Sequence, residues 1–140
     1  KTLVRQRFLS STLFKQAANP TFIEKILKIA YPSGKNINQE LIDILFKPTQ
    51  RNGAKEAFRG FINLFDDHLA PDLLEDLNIP VYLIWGEKDP WEPVKEAKNW
   101  FKKYECIKSL NIINGAGHCP HDEMPEDVNP IITKIIQEAI

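Results

Sequence analysis

Apolar residues in the first half of the chain recur every three or four positions, the spacing of an amphipathic α-helix. Asn19 followed by Pro20 is a helix-start signal, because Asn caps the first turn and Pro is tolerated at the first helical position. Pro48 predicts a stop, and the stretch up to Ala18 is more weakly helical. The other predicted starts and stops are Tyr31-Pro32-Ser33-Gly34, Asn38 and Asn52-Gly53. This half is therefore predicted to form several short helices.

The second half alternates short apolar runs with helical patterns. Its predicted segments are a strand at Val81–Trp85, a helix from Pro93, a strand at Cys106–Ile113, a polar loop after His118 and a closing helix from Pro125 or Pro130. This alternation predicts parallel strands joined by a helical crossover. Two parallel strands alone would leave sheet edges unpaired, so we expect the chain to be the C-terminal part of something larger. A start at Lys1 rather than Met suggests the same.

The bulk composition is that of a globular protein and excludes several classes of function. Hydrophobic residues make up 43% of the chain and charged residues 26%, and the formal net charge is −1. Such a balance creates no field that would gather nucleic acid, and the apolar runs are too short for a transmembrane segment. Two cysteines do not make a disulfide framework, which favours a reducing compartment. We expect the cytoplasm, with a plastid or another reducing compartment as the alternative.

Candidate chemistry lies where the two predicted strands end. Asp89 follows the first strand after Gly86, and His118 follows the second after Gly115 and Gly117. The carboxyl ends of parallel strands meet at one edge of a sheet, where sites gather. We therefore predict that Asp89 accepts a hydrogen bond from one ring nitrogen of His118 and leaves the other nitrogen as a base. Alone, Asp89 would be a turn or capping residue and His118 an ordinary loop histidine.

Other titratable residues are weaker candidates. His121 does not directly follow the glycine turn, and His68 lies in an acidic linker. The run from His118 to Glu123 contains metal-binding residue types, but Pro120 stiffens it and no second ligand cluster is present, so we predict no metal site. Cys119 adjoins His118, and adjacent side chains rarely aim at one point, so a buried structural thiol is favoured.

The three tryptophans differ in their sequence context. Trp85 ends a strand and Trp100 falls on the apolar face of a predicted helix, so packing is the favoured role for both. Trp91 follows Asp89-Pro90 in a loop. Its ring could pack against the core or line a pocket for an apolar ligand, and we name it as the candidate substrate-binding residue.

These motifs resemble a known family. Trp85-Gly86-Glu87-Lys88-Asp89-Pro90-Trp91, followed by Gly115-Ala116-Gly117-His118, is similar to the C-terminal half of an α/β-hydrolase, in which an acid and then a histidine follow the last strands. The run from Gly117 to Glu126, with Val128-Asn129-Pro130, resembles the pheophytinase-like branch found in plastids and cyanobacteria. The resemblance is specific from about Leu77 onward and generic before it.

The resemblance implies an α/β fold in which residues 1–66 form a helical cap and residues 67–140 form the C-terminal part of the core. It implies a hydrolase that acts on a lipophilic small molecule, with Asp89 and His118 as the acid and histidine of a catalytic triad and with no cofactor. The family's nucleophile elbow, G-x-S-x-G in most members, is not found: Ser10, Ser11, Ser33 and Ser109 lack that glycine pattern.

The nucleophile and the oxyanion hole are therefore expected in the upstream half of the same fold, and the chain alone is expected to be inactive. A serine nucleophile would give ester hydrolysis, which is the favoured activity. An aspartate would give a haloalkane dehalogenase or an epoxide hydrolase. A third alternative is a non-catalytic relative that binds an apolar ligand, and a fourth is a helical interaction module that folds alone.

Overall fold

A computed structural model describes residues 7–64 and 73–139. The described residues divide into two compact units. The first unit runs up to Leu27 and resumes at Ile37, and the second contains Lys28–Asn36 and the described residues from 73 onward. The predicted border between cap and core, at residues 66 and 67, lies outside the described residues and stays a prediction. His68, which stands in the acidic linker, also lies outside the described residues.

The first unit is built from helices, and the three for which the sequence predicts a start begin there. In chain order they are α1 (Arg7–Ala17), α2 (Pro20–Ala30, whose last residues belong to the second unit), α3 (Gln39–Phe46), a 3-10 turn at Lys47–Gln50, and α4 (Ala54–Leu64). The Asn19 side chain accepts a hydrogen bond from the amide of Phe22 at 2.9 Å, and Asn38 caps α3 by accepting one from Leu41 at 2.9 Å. Both caps satisfy amides that a helix leaves unpaired in its first turn.

The second unit contains the sheet. Its elements are a 3-10 turn at Leu74–Asp76, β1 (Val81–Gly86), α5 (Val94–Lys103), β2 (Ile107–Ile113), α6 (Pro120–Glu123) and α7 (Pro125–Ala139). The two strands pair in parallel, with Leu83 opposite Leu110 and Gly86 opposite Ile113. The prediction of parallel strands joined by a helix is therefore confirmed, and both strands end at the same edge of the sheet.

A small apolar core fixes the end of β2 against the last two helices. Ile113, Ala116, Met124 and Val128 are buried together, and Ile84 of β1 packs against them. Burying a side chain of the size of Ile113, Met124 or Val128 stabilises the fold by about 1.5–3 kcal/mol relative to exposure. The turn after β2 is thus held by packing on both sides.

Two details of the second half differ from the sequence prediction. The residues after His118 form the short helix α6 rather than a loop, because Pro120 stands at its first position, where a proline ring favours the helical φ. Of the two predicted starts for α7, the structure selects Pro125, and Pro130 lies inside the helix. α7 has 15 residues, and no helix in the described part of the chain is long and apolar enough to cross a membrane.

Candidate active site

The turns that follow β1 and β2 are hydrogen-bonded to each other. The amide of Glu87 donates to the carbonyl of Ile113 at 3.0 Å, and the amide of Lys88 donates to that of Ala116 at 2.8 Å. The Glu87 carboxylate accepts a hydrogen bond from the amide of Gly115 at 2.9 Å. These bonds continue the pairing of the strands beyond their ends and bring the two following loops together.

Two glycines allow this close approach. A Cβ atom on Gly86 would lie 1.9 Å from the carbonyl oxygen of Gly117, and one on Gly117 would lie 2.0 Å from the carbonyl oxygen of Ala30. Both distances are far shorter than van der Waals contact, and both involve backbone atoms that cannot swing away. Gly115 adopts a φ of 78°, in the left-handed region that favours glycine. The turn before His118 therefore requires glycine for steric reasons.

Asp89 and His118 meet at the end of these turns. Oδ2 of Asp89 lies 2.9 Å from Nδ1 of His118. Oδ1 of Asp89 accepts hydrogen bonds from the amides of Trp91 at 2.9 Å and Glu92 at 3.0 Å. The Asp89 side chain is 5% exposed, whereas that of His118 is 39% exposed. The carboxylate is thus enclosed and oriented, and the imidazole reaches the surface.

The electrostatics of Asp89 favour its charged form. Burial raises the pKa of this carboxyl, but the amides of Glu92 and Trp91 and the imidazole of His118 outweigh burial, so the pKa of Asp89 falls below its ordinary value. A carboxylate can only accept hydrogen bonds, so the proton of the neutral imidazole lies on Nδ1. Nε2 of His118 then carries a free lone pair and can act as a base.

A cavity of about 150 Å³ opens beside this pair. Its lining is Ile84, Trp85, Gly86, Asp89, Glu92, His118 and Pro120. The Trp91 ring stands edge-on to the His118 ring with centroids 4.8 Å apart, and this tryptophan is 46% exposed. Trp91 therefore contacts the histidine while leaving much of its own apolar surface open.

The other two tryptophans pack, as predicted. Trp85 and Trp100 make an edge-to-face contact with centroids 5.5 Å apart. The indole N–H of Trp85 donates to the carbonyl of Glu92 at 2.8 Å. This bond ties the strand to the loop whose amides hold Asp89.

The other candidate residues lie at the start of α6. His121 is exposed on α6. Cys119 is partly buried, and burial raises the pKa of its thiol, which disfavours the reactive thiolate. Among the described residues, no group of three or more His, Cys, Asp and Glu side chains is arranged to hold a metal ion.

Sequence reasoning misses one feature of the site. Glu123 is fully buried, and it accepts hydrogen bonds from the amide of Gly117 and from Ser33. The sequence around Ser33 indicates only the end of a helix. Asp122 and Glu123, two acidic residues in the first turn after Pro120, are a sequence signal for the helix α6. The neighbouring residues do not indicate that Glu123 is buried, or that its partner Ser33 lies 90 positions away.

Comparison with known proteins connects this geometry to one fold. No family model matches the chain. It is 27% identical over 125 residues to a chloroplastic pheophytinase of Arabidopsis thaliana, a match that covers 86% of this chain and 26% of that protein. It is 30% identical over 101 residues to the uncharacterized hydrolase YugF of Bacillus subtilis, covering 72% of this chain and 37% of that protein.

Solved structures give the same result. The chain superposes on a serine hydrolase involved in carbazole degradation, the CarC enzyme, with a TM-score of 0.77 at 16% identity, covering 86% of this chain and 48% of that one. The chain therefore has the α/β-hydrolase fold and corresponds to its C-terminal part. Within that fold its sequence is similar to the pheophytinase, as the motifs after β2 predict. It spans well under half the length of these curated relatives.

Proposed function

We propose that the chain supplies the acid and the histidine of a catalytic triad to an α/β-hydrolase that cleaves an ester of a lipophilic small molecule. One observation carries this proposal: the enclosed Asp89 carboxylate lies 2.9 Å from Nδ1 of a surface-accessible His118, at the shared end of two parallel strands. The nucleophile and the oxyanion hole would come from the upstream half of the same fold.

In this mechanism Nε2 of His118 removes the proton from the nucleophile as it attacks the ester carbonyl. The imidazolium that forms is stabilised by Asp89, whose second oxygen is already held by two backbone amides. His118 then protonates the leaving alcohol, and a water activated by the same nitrogen releases the acid. Asp89 stays ionised throughout, which its lowered pKa supports.

The apolar surroundings favour a lipophilic substrate. Ile84, Trp85 and Pro120 line the cavity beside the pair, and Trp91 presents an exposed indole next to His118. The helices of the first unit also expose large apolar side chains, which suits a protein that handles a lipophilic ligand. These side chains include Phe22, Ile26, Ile44 and Phe61.

The test is turnover of a p-nitrophenyl ester by the protein that carries this chain together with the rest of the fold. His118→Ala should lower kcat by about 10⁴-fold or more, because the base is lost. His121→Ala is the matched control, since it removes an exposed histidine three positions away, and it should retain most of the activity. Full activity in the His118 variant would refute the assignment.

A further inference from the structure

Glu123 is a carboxylate buried completely inside the second unit. Its Oε1 accepts hydrogen bonds from the amide of Ser33 at 2.8 Å and from the Ser33 hydroxyl at 2.5 Å. Its Oε2 accepts one from the amide of Gly117 at 2.5 Å. Burying a carboxylate is costly unless hydrogen bonds replace its hydration, and three uncharged donors do so here. Apolar packing therefore does not explain why an acidic residue stands at this buried position.

The carboxylate acts on the backbone that carries His118. Gly117, whose amide donates to Glu123, directly precedes His118, and the amide of His118 itself donates to the carbonyl of Ala30 at 2.8 Å. Two successive amides are thus held by two different partners. Because Gly117 has no side chain, these backbone bonds and its close contacts with Ala30 and Gly86 set the direction in which His118 leaves the turn.

Ala30, which accepts the hydrogen bond from the amide of His118, is followed by a segment that is hydrogen-bonded to α6, the helix that carries Glu123. The Tyr31 hydroxyl donates to the Asp122 carboxylate, and Asn36 donates to the backbone carbonyl of Asp122 at 2.8 Å. Ser33, between these two residues, donates to Glu123. The segment 30–36 and the turn Gly115–His118 are therefore bound by the same Glu123 carboxylate. Ser33 donates to its Oε1 and Gly117 donates to its Oε2.

We infer that Glu123 is a positioning residue for His118, which fixes the imidazole at the distance and angle that its bond to Asp89 requires. This inference rests on the proposed function for its effect on turnover. Glu123 acts through the Gly117 amide, whereas the His118 ring bonds to Asp89. Its role needs two acceptor oxygens, which is why a carboxylate stands here rather than an amide.

The test is Glu123→Gln, which keeps the shape but replaces one acceptor oxygen by an NH₂ group. That group must face either the amide of Gly117 or that of Ser33, so one of the two bonds is lost. With p-nitrophenyl butyrate as the probe, kcat should fall by about tenfold or more with KM within about twofold, because a small misplacement of a catalytic group has effects of this size. The low-field proton signal of His118 Nδ1–H should also be lost or broadened.

The matched control is Glu126→Gln. It makes the same chemical change three positions away, on an exposed carboxylate that pairs with Lys35. Its kcat and its Nδ1–H signal should equal those of the wild type. A Glu123→Gln protein that melts at a lower temperature but keeps the wild-type kcat and signal would overturn the inference, since Glu123 would then be structural only.

Two further arms keep the test decisive. If Glu123→Gln does not fold, Ser33→Ala takes its place. Without the Ser33 hydroxyl, Oε1 keeps only its bond to the Ser33 amide, so the carboxylate is free to turn away from the amide of Gly117. It should lower kcat by at least about twofold at unchanged KM, and an unchanged kcat and signal would overturn the inference. If the wild type itself does not cleave the ester, the proposed function fails, and the Nδ1–H signal in the variants alone decides the role of Glu123.

Discussion

Asp89 divides its two oxygens between its own loop and its partner. Oδ1 binds the amides of Trp91 and Glu92, so the carboxylate cannot rotate without breaking bonds within the loop. Oδ2 is left to His118 at 2.9 Å. The amides of Trp91 and Glu92 and the imidazole of His118 thus orient the Asp89 carboxylate. The same three groups favour its ionised form.

This arrangement predicts a pH-dependent contribution of Asp89 to stability. Its pKa in the folded protein lies below the ordinary value of 3.8, so the contribution is present above 3.8 and is lost as the pH falls through the lower, folded-state pKa. Asp89→Asn should therefore lower the free energy of unfolding by about 1–3 kcal/mol near neutral pH. Urea denaturation of the protein that carries this chain together with the rest of the fold, with and without the substitution, from about pH 7 to about pH 3 should show the difference shrinking at the acid end. A constant difference would contradict this account.

At the scale of secondary-structure elements, the site depends on the junction between β1 and the turn after β2. The strands stop in register at Gly86 and Ile113, and the following loops continue the contact through backbone bonds. There is no room for a side chain on Gly86, because the carbonyl of Gly117 occupies that space. The packing of these two backbone segments therefore contributes to the position of His118 relative to Asp89.

Gly86→Ala should consequently destabilise the protein, by about 1–3 kcal/mol or more, because the backbone must move to admit the methyl group. Gly60→Ala is a useful control. Gly60 lies inside α4, and a methyl group there would meet no atom within 4 Å, so alanine should stabilise by about 0.5–1 kcal/mol through helix propensity. Thermal unfolding of the two variants, each made in the protein that carries this chain together with the rest of the fold, should show a lower melting temperature for Gly86→Ala and a higher one for Gly60→Ala. A neutral Gly86→Ala would show that the junction is less tightly packed than its geometry indicates.

At the scale of the whole molecule, the described sheet has two strands only. Each strand is paired along one edge, and all the described strand residues before Gly86 in β1 remain partly accessible. Parallel strands in stable proteins are normally buried on both faces within larger sheets. The chain also covers 48% of the CarC enzyme on which it superposes. We therefore expect the remaining neighbours of β1 to come from the upstream half of the fold.

Expressed alone, these 140 residues should aggregate or form a loosely packed state, and they should not hydrolyse esters. Size-exclusion chromatography and amide exchange of the β1 residues would measure this. Co-expression with the upstream half should bring monodisperse protein and slow exchange in β1. A sharp two-state unfolding of the isolated, monomeric chain would contradict the expectation.

Much of the fold could be predicted because its signals are local. Asn19 and Asn38 cap helices through amides three positions away, and the strand before Gly86 is a contiguous apolar run. The meeting of Asp89 and His118 was also predictable, since parallel strands bring their carboxyl ends to one edge whatever the intervening helix contains.

Contacts between segments distant along the chain needed the tertiary structure. The burial of Glu123, its bonds to Ser33 and Gly117, and the placement of segment 30–36 against the histidine turn join residues up to 90 positions apart. No periodicity or motif encodes them, because a polar residue in a short helix has the same local signature whether it faces water or the interior. Local propensity thus indicated the strands, the caps and the acid–histidine pair, and packing alone decided which backbone groups hold the histidine in place.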